Sequence, residues 1–210
     1  MKYEIPSEFK PFVTSVKRQC KTYGIELVMS PSKTVVLTDD LSQDCHGYFD
    51  DANKALVVAC GRPFEDWIEI LVHEFSHMEQ WKFDDRWGKW TDACDMTWTW
   101  MAGERIMNKT QLNKTIDNMV ELERDCEIRS VEKIRKWGLP ISITNYIKKA
   151  NVYLYSYHML PELKKFPTGI YNDKYLTSLA PDKFRKSYRK IPEPIRERMM
   201  QLTFPNKASL

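Results

Sequence analysis

FEDWIEILVHEFSHMEQW, residues 64–81, carries its apolar residues at helical spacing, with Trp67, Ile68, Leu71, Phe75 and Met78 on one side. Pro63 stands where a helix tolerates proline, in its first turn. The expectation is one helix from Phe64 to about Trp81 with His73-Glu74-Phe75-Ser76-His77 at its middle. Two histidines four residues apart project from one face, one turn apart, so both imidazoles can bind a single zinc ion at about 2.0–2.1 Å. Glu74, directly after the first histidine, would face a metal-bound water and take its proton. The plain alternative is two histidines on an ordinary amphipathic helix. Against it, two of the chain's four histidines sit in this one segment, which follows an expected sheet edge and is flanked by apolar residues.

A catalytic zinc keeps three protein ligands and one open position, so a third donor must come from elsewhere. NMVELERDCEIRSVEKIRK, residues 118–136, lies in a second strongly helical stretch that begins at Gln111 and stops at Gly138 and Pro140. At about 100° per residue, Glu123 and Glu127 share a face with Val120, Val131 and Ile134. Glu121 and Asp125 fall on another face with Glu132, the side expected to meet solvent. Glu123 is therefore the better third ligand, with Glu121 as the alternative register.

These two helices resemble the zincin metallopeptidases of the glutamate-ligand class, gluzincin-like proteins that include the ImmA/IrrE-type and HtpX-type peptidases. That class pairs HExxH with a downstream E-x-x-A-D-x-x-A helix. Here the segment reads Glu123-Arg-Asp-Cys126-Glu127-Ile-Arg-Ser130, with small Cys126 and Ser130 at the two alanine positions. Glu127 departs from the pattern: the family has Asp there, supporting a ligand histidine from outside the coordination shell, and a longer Glu would need adjusted geometry. The simpler E-x-x-x-D form fits Glu121 with Asp125. HEFSHMEQW is also similar in wording to phage-encoded HExxH peptidases. The resemblance covers about residues 25–135 and implies zinc-dependent hydrolysis of a protein or peptide substrate, held along an antiparallel edge strand. GYFDDANKALVV, residues 47–58, is the candidate edge; an ordinary hairpin is its plain reading.

Outward from the two helices, residues 7–23 read as a helix capped by Ser7, striped by Phe9, Phe12, Val13 and Val16, and ended by Gly24. IELVM (25–29) and TVVL (34–37) look like a hairpin across the turn-prone SPSK, and Tyr48-Phe49 with Leu56 to Ala59 like another antiparallel pair. Residues 82–110, with Trp87, Trp90, Trp98 and Trp100, lack clean periodicity; the tryptophans are read as core, or as the wall of a cleft. A helix over about 142–160 follows, and beyond Pro161 prolines are frequent and periodicity weak. The expected fold is α+β and zincin-like: a small, mostly antiparallel sheet packed on the HExxH helix and a glutamate-bearing helix, domain 1–160, with a helical C-terminal appendage over 161–210.

Within NVYLYSYHML, Tyr157 and His158 are the candidates for stabilising the oxyanion formed in zincin hydrolysis; aromatic core is the plain reading. The 210 residues carry 32 Lys and Arg against 29 Asp and Glu, a net charge of +3 that argues for no nucleic-acid partner by itself. The cluster Lys183, Arg185, Lys186, Arg189, Lys190, Arg196 and Arg198 is read as a solvated face interleaved with Glu193 and Glu197; nucleic-acid contact, as in SprT-like proteases acting near DNA, is the alternative. Five cysteines without CxxC pairs suit reduced, mostly buried thiols. No run approaches the roughly 18 apolar residues that span a bilayer, and MKYEIPSEFKPF has no basic region followed by an apolar stretch. The expected setting is therefore cytoplasmic without a membrane partner, or the host cytoplasm for a phage-encoded chain.

Overall fold

The computed structural model describes residues 4–36 and 44–204. Leu37, the end of the TVVL run, and the opening Met1-Lys2-Tyr3 lie outside the described residues. The protein is α+β and clusters into two compact units. One comprises Met1–Asp84 with Arg129–Ile141, the other Asp85–Ile128 with Ser142–Leu210.

In the first unit a 3₁₀ turn, Ser7–Phe9, leads into helix α1 (Lys10–Thr22), which buries Phe12, Val13, Val16 and Cys20. Ser7 does not cap it. The N-cap position belongs to Phe9, and the Ser7 hydroxyl donates to the Glu8 carboxylate. Pro11 occupies the first turn of α1, where its missing N–H leaves no bond unmade. Gly24, at φ +70°, turns the chain into the strands.

These are β1 (Glu26–Ser30), β2 (Val35–Val36), β3 (Asp44–Cys45), β4 (Gly47–Asp50) and β5 (Ala55–Ala59). Among the described residues the expected hairpin of 25–29 with 34–37 does not form. β1 runs parallel to β5, Glu26 opposite Ala55 through Ser30 opposite Ala59, while β2 pairs antiparallel with β3. The reason is burial: Leu56, Val57, Val58 and Ala59 are all buried, so β5 takes the centre of the sheet and needs a partner on each side. β4 is the other partner, antiparallel as the sequence predicts, and its register sets Tyr48 opposite Val57. Asp50 holds the connecting turn by accepting from the Asn53 backbone and side chain. The sheet order is β1-β5-β4, which leaves β4 at an edge.

Helix α2 (Phe64–Phe83) packs on β4 and β5 and buries Trp67, Ile68, Leu71, Phe75 and Met78, the apolar side of its sequence. Helix α4 (Lys109–Trp137) gives its last turns, from Arg129 on, to this unit. Val131 and Ile134 are buried, and Trp137 meets Phe12 with ring centroids 5.7 Å apart.

The second unit is helical. It holds α3 (Trp87–Met101), α4 as far as Ile128, α5 (Ile143–Tyr157), α6 (Leu160–Leu163), α7 (Lys174–Leu179) and α8 (Glu193–Thr203). Ser142 caps α5, its hydroxyl accepting from the Asn145 N–H. The units do not follow the expected cut at residue 160. Leu163, Ile170, Leu176, Tyr188, Ile195 and Met199 share one core with Trp100, Ile116, Val152 and Tyr155. Leu163, Ile170, Leu176 and Tyr188 come one each from different short elements or a loop, so no period announces them, whereas Ile195 and Met199 stand one turn apart on α8. Among the described residues no helix is long and apolar enough to cross a membrane.

Candidate metal centre

On α2, His73 and His77 turn their Nε2 atoms toward each other at 3.1 Å. Two nitrogens bound tetrahedrally to one zinc at about 2.0–2.1 Å stand roughly 3.3 Å apart, so the pair fits zinc with almost no movement. Gln80 Oε1 lies 2.8 Å from His77 Nδ1. An amide oxygen can only accept, so His77 carries its proton on Nδ1, and Nε2 presents the lone pair a metal needs. His77 and Glu74 are each 9% exposed, a buried pair rather than a solvated one.

Glu74 faces the strands. A Cβ built on Gly47 would stand 2.6 Å from Ile70 Cγ2, 2.8 Å from the Val57 carbonyl oxygen and 3.3 Å from Glu74 Cγ. Only glycine lets β4 pass this close to α2. The thiol of Cys45 is pushed above its ordinary pKa by burial, to which the Glu74 charge adds. Gly47→Ala is expected to destabilise the protein by about 1–3 kcal/mol, the usual cost of overpacking. Urea denaturation showing no loss would mean that β4 stands off α2 in solution.

Ser76, inside the HEFSH segment, anchors α2 to the last turns of α4. Its hydroxyl donates to the Val72 carbonyl at 2.7 Å, lies 2.9 Å from Ser130 Oγ, and accepts from Lys133 Nζ at 3.1 Å. Lys133 is 8% exposed, pairs with Glu79 at 2.5 Å and lies over the Phe75 ring. Both serines are fully buried, so every polar atom here must find its partner inside the protein.

The remaining predicted residues belong to the second unit. Glu123 is 9% exposed and accepts from the Tyr157 hydroxyl at 3.0 Å. Tyr157 Oη in turn lies 2.5 Å from Tyr153 Oη. Burial, then the Glu123 charge, holds both phenols well above their ordinary pKa, so both keep their protons. Glu127 is buried as well. Glu121 is 43% exposed and pairs with Arg86 and Lys89, as suits a solvent-facing carboxylate. His158 sits at the end of α5 beside Asp117, Nε2 to Oδ1 3.9 Å, in a group that includes Arg189 and not Glu123. Its pKa is lowered, chiefly by burial.

Trp90 and Trp100 are buried in the helical unit, while Trp98, 38% exposed, rests on Phe166. Within the basic C-terminal cluster Arg189 pairs with Asp117, Arg196 with Glu162 and Arg198 with Asp173. Those arginines are committed to carboxylates of their own unit.

Gln80 is absent from the residues expected at the site, and Tyr153 stands among the NVYLYSYHML tyrosines with Tyr157 preferred to it. Gln80 is the polar residue three after His77 on the apolar side of α2, and Tyr153 stands four before Tyr157 on α5. Both were visible as helical neighbours of residues already singled out. Cys126, fully buried one turn beyond Glu123, is a further potential metal donor on α4. No family model matches the chain, and no curated protein or solved structure is significantly similar to it.

Proposed function

We propose that this protein is a zinc-dependent peptidase with a zincin-like site, hydrolysing peptide bonds in a protein or peptide substrate. The observation that carries the reading is the His73–His77 pair, its nitrogens 3.1 Å apart and its tautomer set by Gln80, beside the buried Glu74. His73 and His77, with Glu123 as the third donor that the sequence offers, are the residues proposed to hold the ion, and Glu127 is the proposed support for that set. Zinc, when bound, would supply a Lewis acid that acidifies water and stabilises negative charge on the reacting carbonyl oxygen. Glu74 accepts a proton from the attacking water and returns it to the nitrogen of the leaving amine. The edge strand β4, which passes beside Glu74, offers its backbone to an extended peptide.

Metal content per chain tests this reading, on protein purified without chelator and then supplied with zinc. About one zinc per chain is expected, lost in His77→Ala and Glu123→Gln and kept in Glu121→Ala. Loss in Cys126→Ser with retention in Glu123→Gln would make the thiol the third ligand. A wild type that takes up no zinc would end the enzyme reading.

A further inference from the structure

The geometry points to Tyr153 and Tyr157 as a hydroxyl relay that orients Glu123 for metal binding, which makes Tyr157 a positioning residue rather than the oxyanion donor expected from sequence. The inference rests on Glu123 being a ligand. A carboxylate only accepts, so the single phenolic proton of Tyr157 is committed to Glu123 Oε1 at 3.0 Å. The 2.5 Å contact between the two phenols must then be donated by Tyr153. The direction of the chain is fixed, Tyr153 to Tyr157 to Glu123, and each bond polarises the next.

The rings are held as firmly as the hydroxyls. Tyr153 and Tyr157 stand one turn apart on α5, with centroids 5.0 Å apart. Phe166 packs edge-on against Tyr157 at 5.1 Å, and Tyr171 lies against Tyr153 at 5.2 Å. The Tyr157 hydroxyl therefore cannot swing to a developing oxyanion without leaving Glu123. Removing the hydrogen-bond partner that orients a ligand typically costs 10–100-fold in metal affinity.

Zinc affinity, measured by competition with a chromophoric chelator, decides the matter for the full chain and for Tyr157→Phe, Tyr153→Phe, Glu123→Gln and the double variant Tyr157→Phe/Glu123→Gln. Tyr157→Phe keeps the ring and its packing. It is expected to weaken zinc binding about 10–100-fold, Tyr153→Phe by less, and the double variant no more than Glu123→Gln alone. That non-additivity separates positioning through Glu123 from a general loss of structure, as does the cobalt(II) absorption spectrum, which follows ligand geometry. An unchanged affinity in Tyr157→Phe, or losses that add fully, overturns the relay while leaving the metal site intact. If Glu123→Gln itself binds zinc as wild type does, Glu123 is not a ligand and the relay falls with it.

Discussion

Glu74→Gln is expected to slow peptide-bond hydrolysis by about 10²–10⁴-fold while zinc content stays at the wild-type level. Glutamine has the shape of glutamate, so the close approach of β4 to α2 at Gly47 should survive. What it lacks is a basic oxygen to take the proton of the attacking water. The loss should fall on kcat and on kcat/KM alike, the pattern left by an interaction made only in the transition state. The assay is cleavage of a proteome-derived peptide pool, read by mass spectrometry, for zinc-loaded wild type and variant side by side. Equal cleavage by the two proteins would remove Glu74 from the chemistry. A variant that loses both activity and zinc would make Glu74 a structural residue or a ligand instead.

Lys133→Ala is expected to lower stability by about 3–5 kcal/mol, from the loss of an ion pair with the partly exposed Glu79 together with the packing of a buried side chain. The ammonium group pairs with Glu79, donates to Ser76 and to the Arg129 carbonyl, and lies over Phe75. Alanine removes all four contacts and leaves a space beside two buried hydroxyls. Lys133→Met fills that space and should cost less than half as much. For a chain of this size the alanine variant should melt about 10 °C or more below wild type. A melting temperature within about 2 °C of wild type would show that the network is neutral and that packing of Val131 and Ile134 alone fixes α4 on α2.

The helices of the candidate site are legible because their chemistry repeats with their geometry. HEFSH reads as a ligand pair because a spacing of four is one helical turn, and Glu123 separates from Glu121 because 200° around a helix takes a side chain from burial to solvent. Strand pairing is less legible. β1 is as apolar as an antiparallel hairpin strand would be, and nothing within residues 25–30 says that its partner lies in 55–59 rather than 34–37. That choice is made by β5, whose buried run needs two neighbours. α3 hid for another reason: a helix that buries Trp90, Ala93, Thr97 and Trp100 while leaving Trp98 half-exposed has aromatic residues all round and little stripe to detect. The start of α5 expected near residue 142 agrees with the Ser142 cap, while Ser7, the cap expected for α1, is displaced because proline opens that helix instead. His158 was adjacent to Tyr157 in sequence, but neighbours on a helix point 100° apart, and α5 sends the two toward different carboxylates.

The interleaving of the two units along the chain has a consequence during synthesis. The first unit is not finished when Asp84 leaves the ribosome, because its closing segment, Arg129–Ile141, is made only after Asp85–Ile128. Until then α2 has no Ser130 or Lys133 to meet, and the apolar face of α1 waits for Trp137. Domains made of one continuous stretch fold as they emerge, N-terminal first. Here translation must pass residue 141 before the first can close, so a nascent chain stalled anywhere between 85 and 128 should remain open to protease at the HEFSH helix.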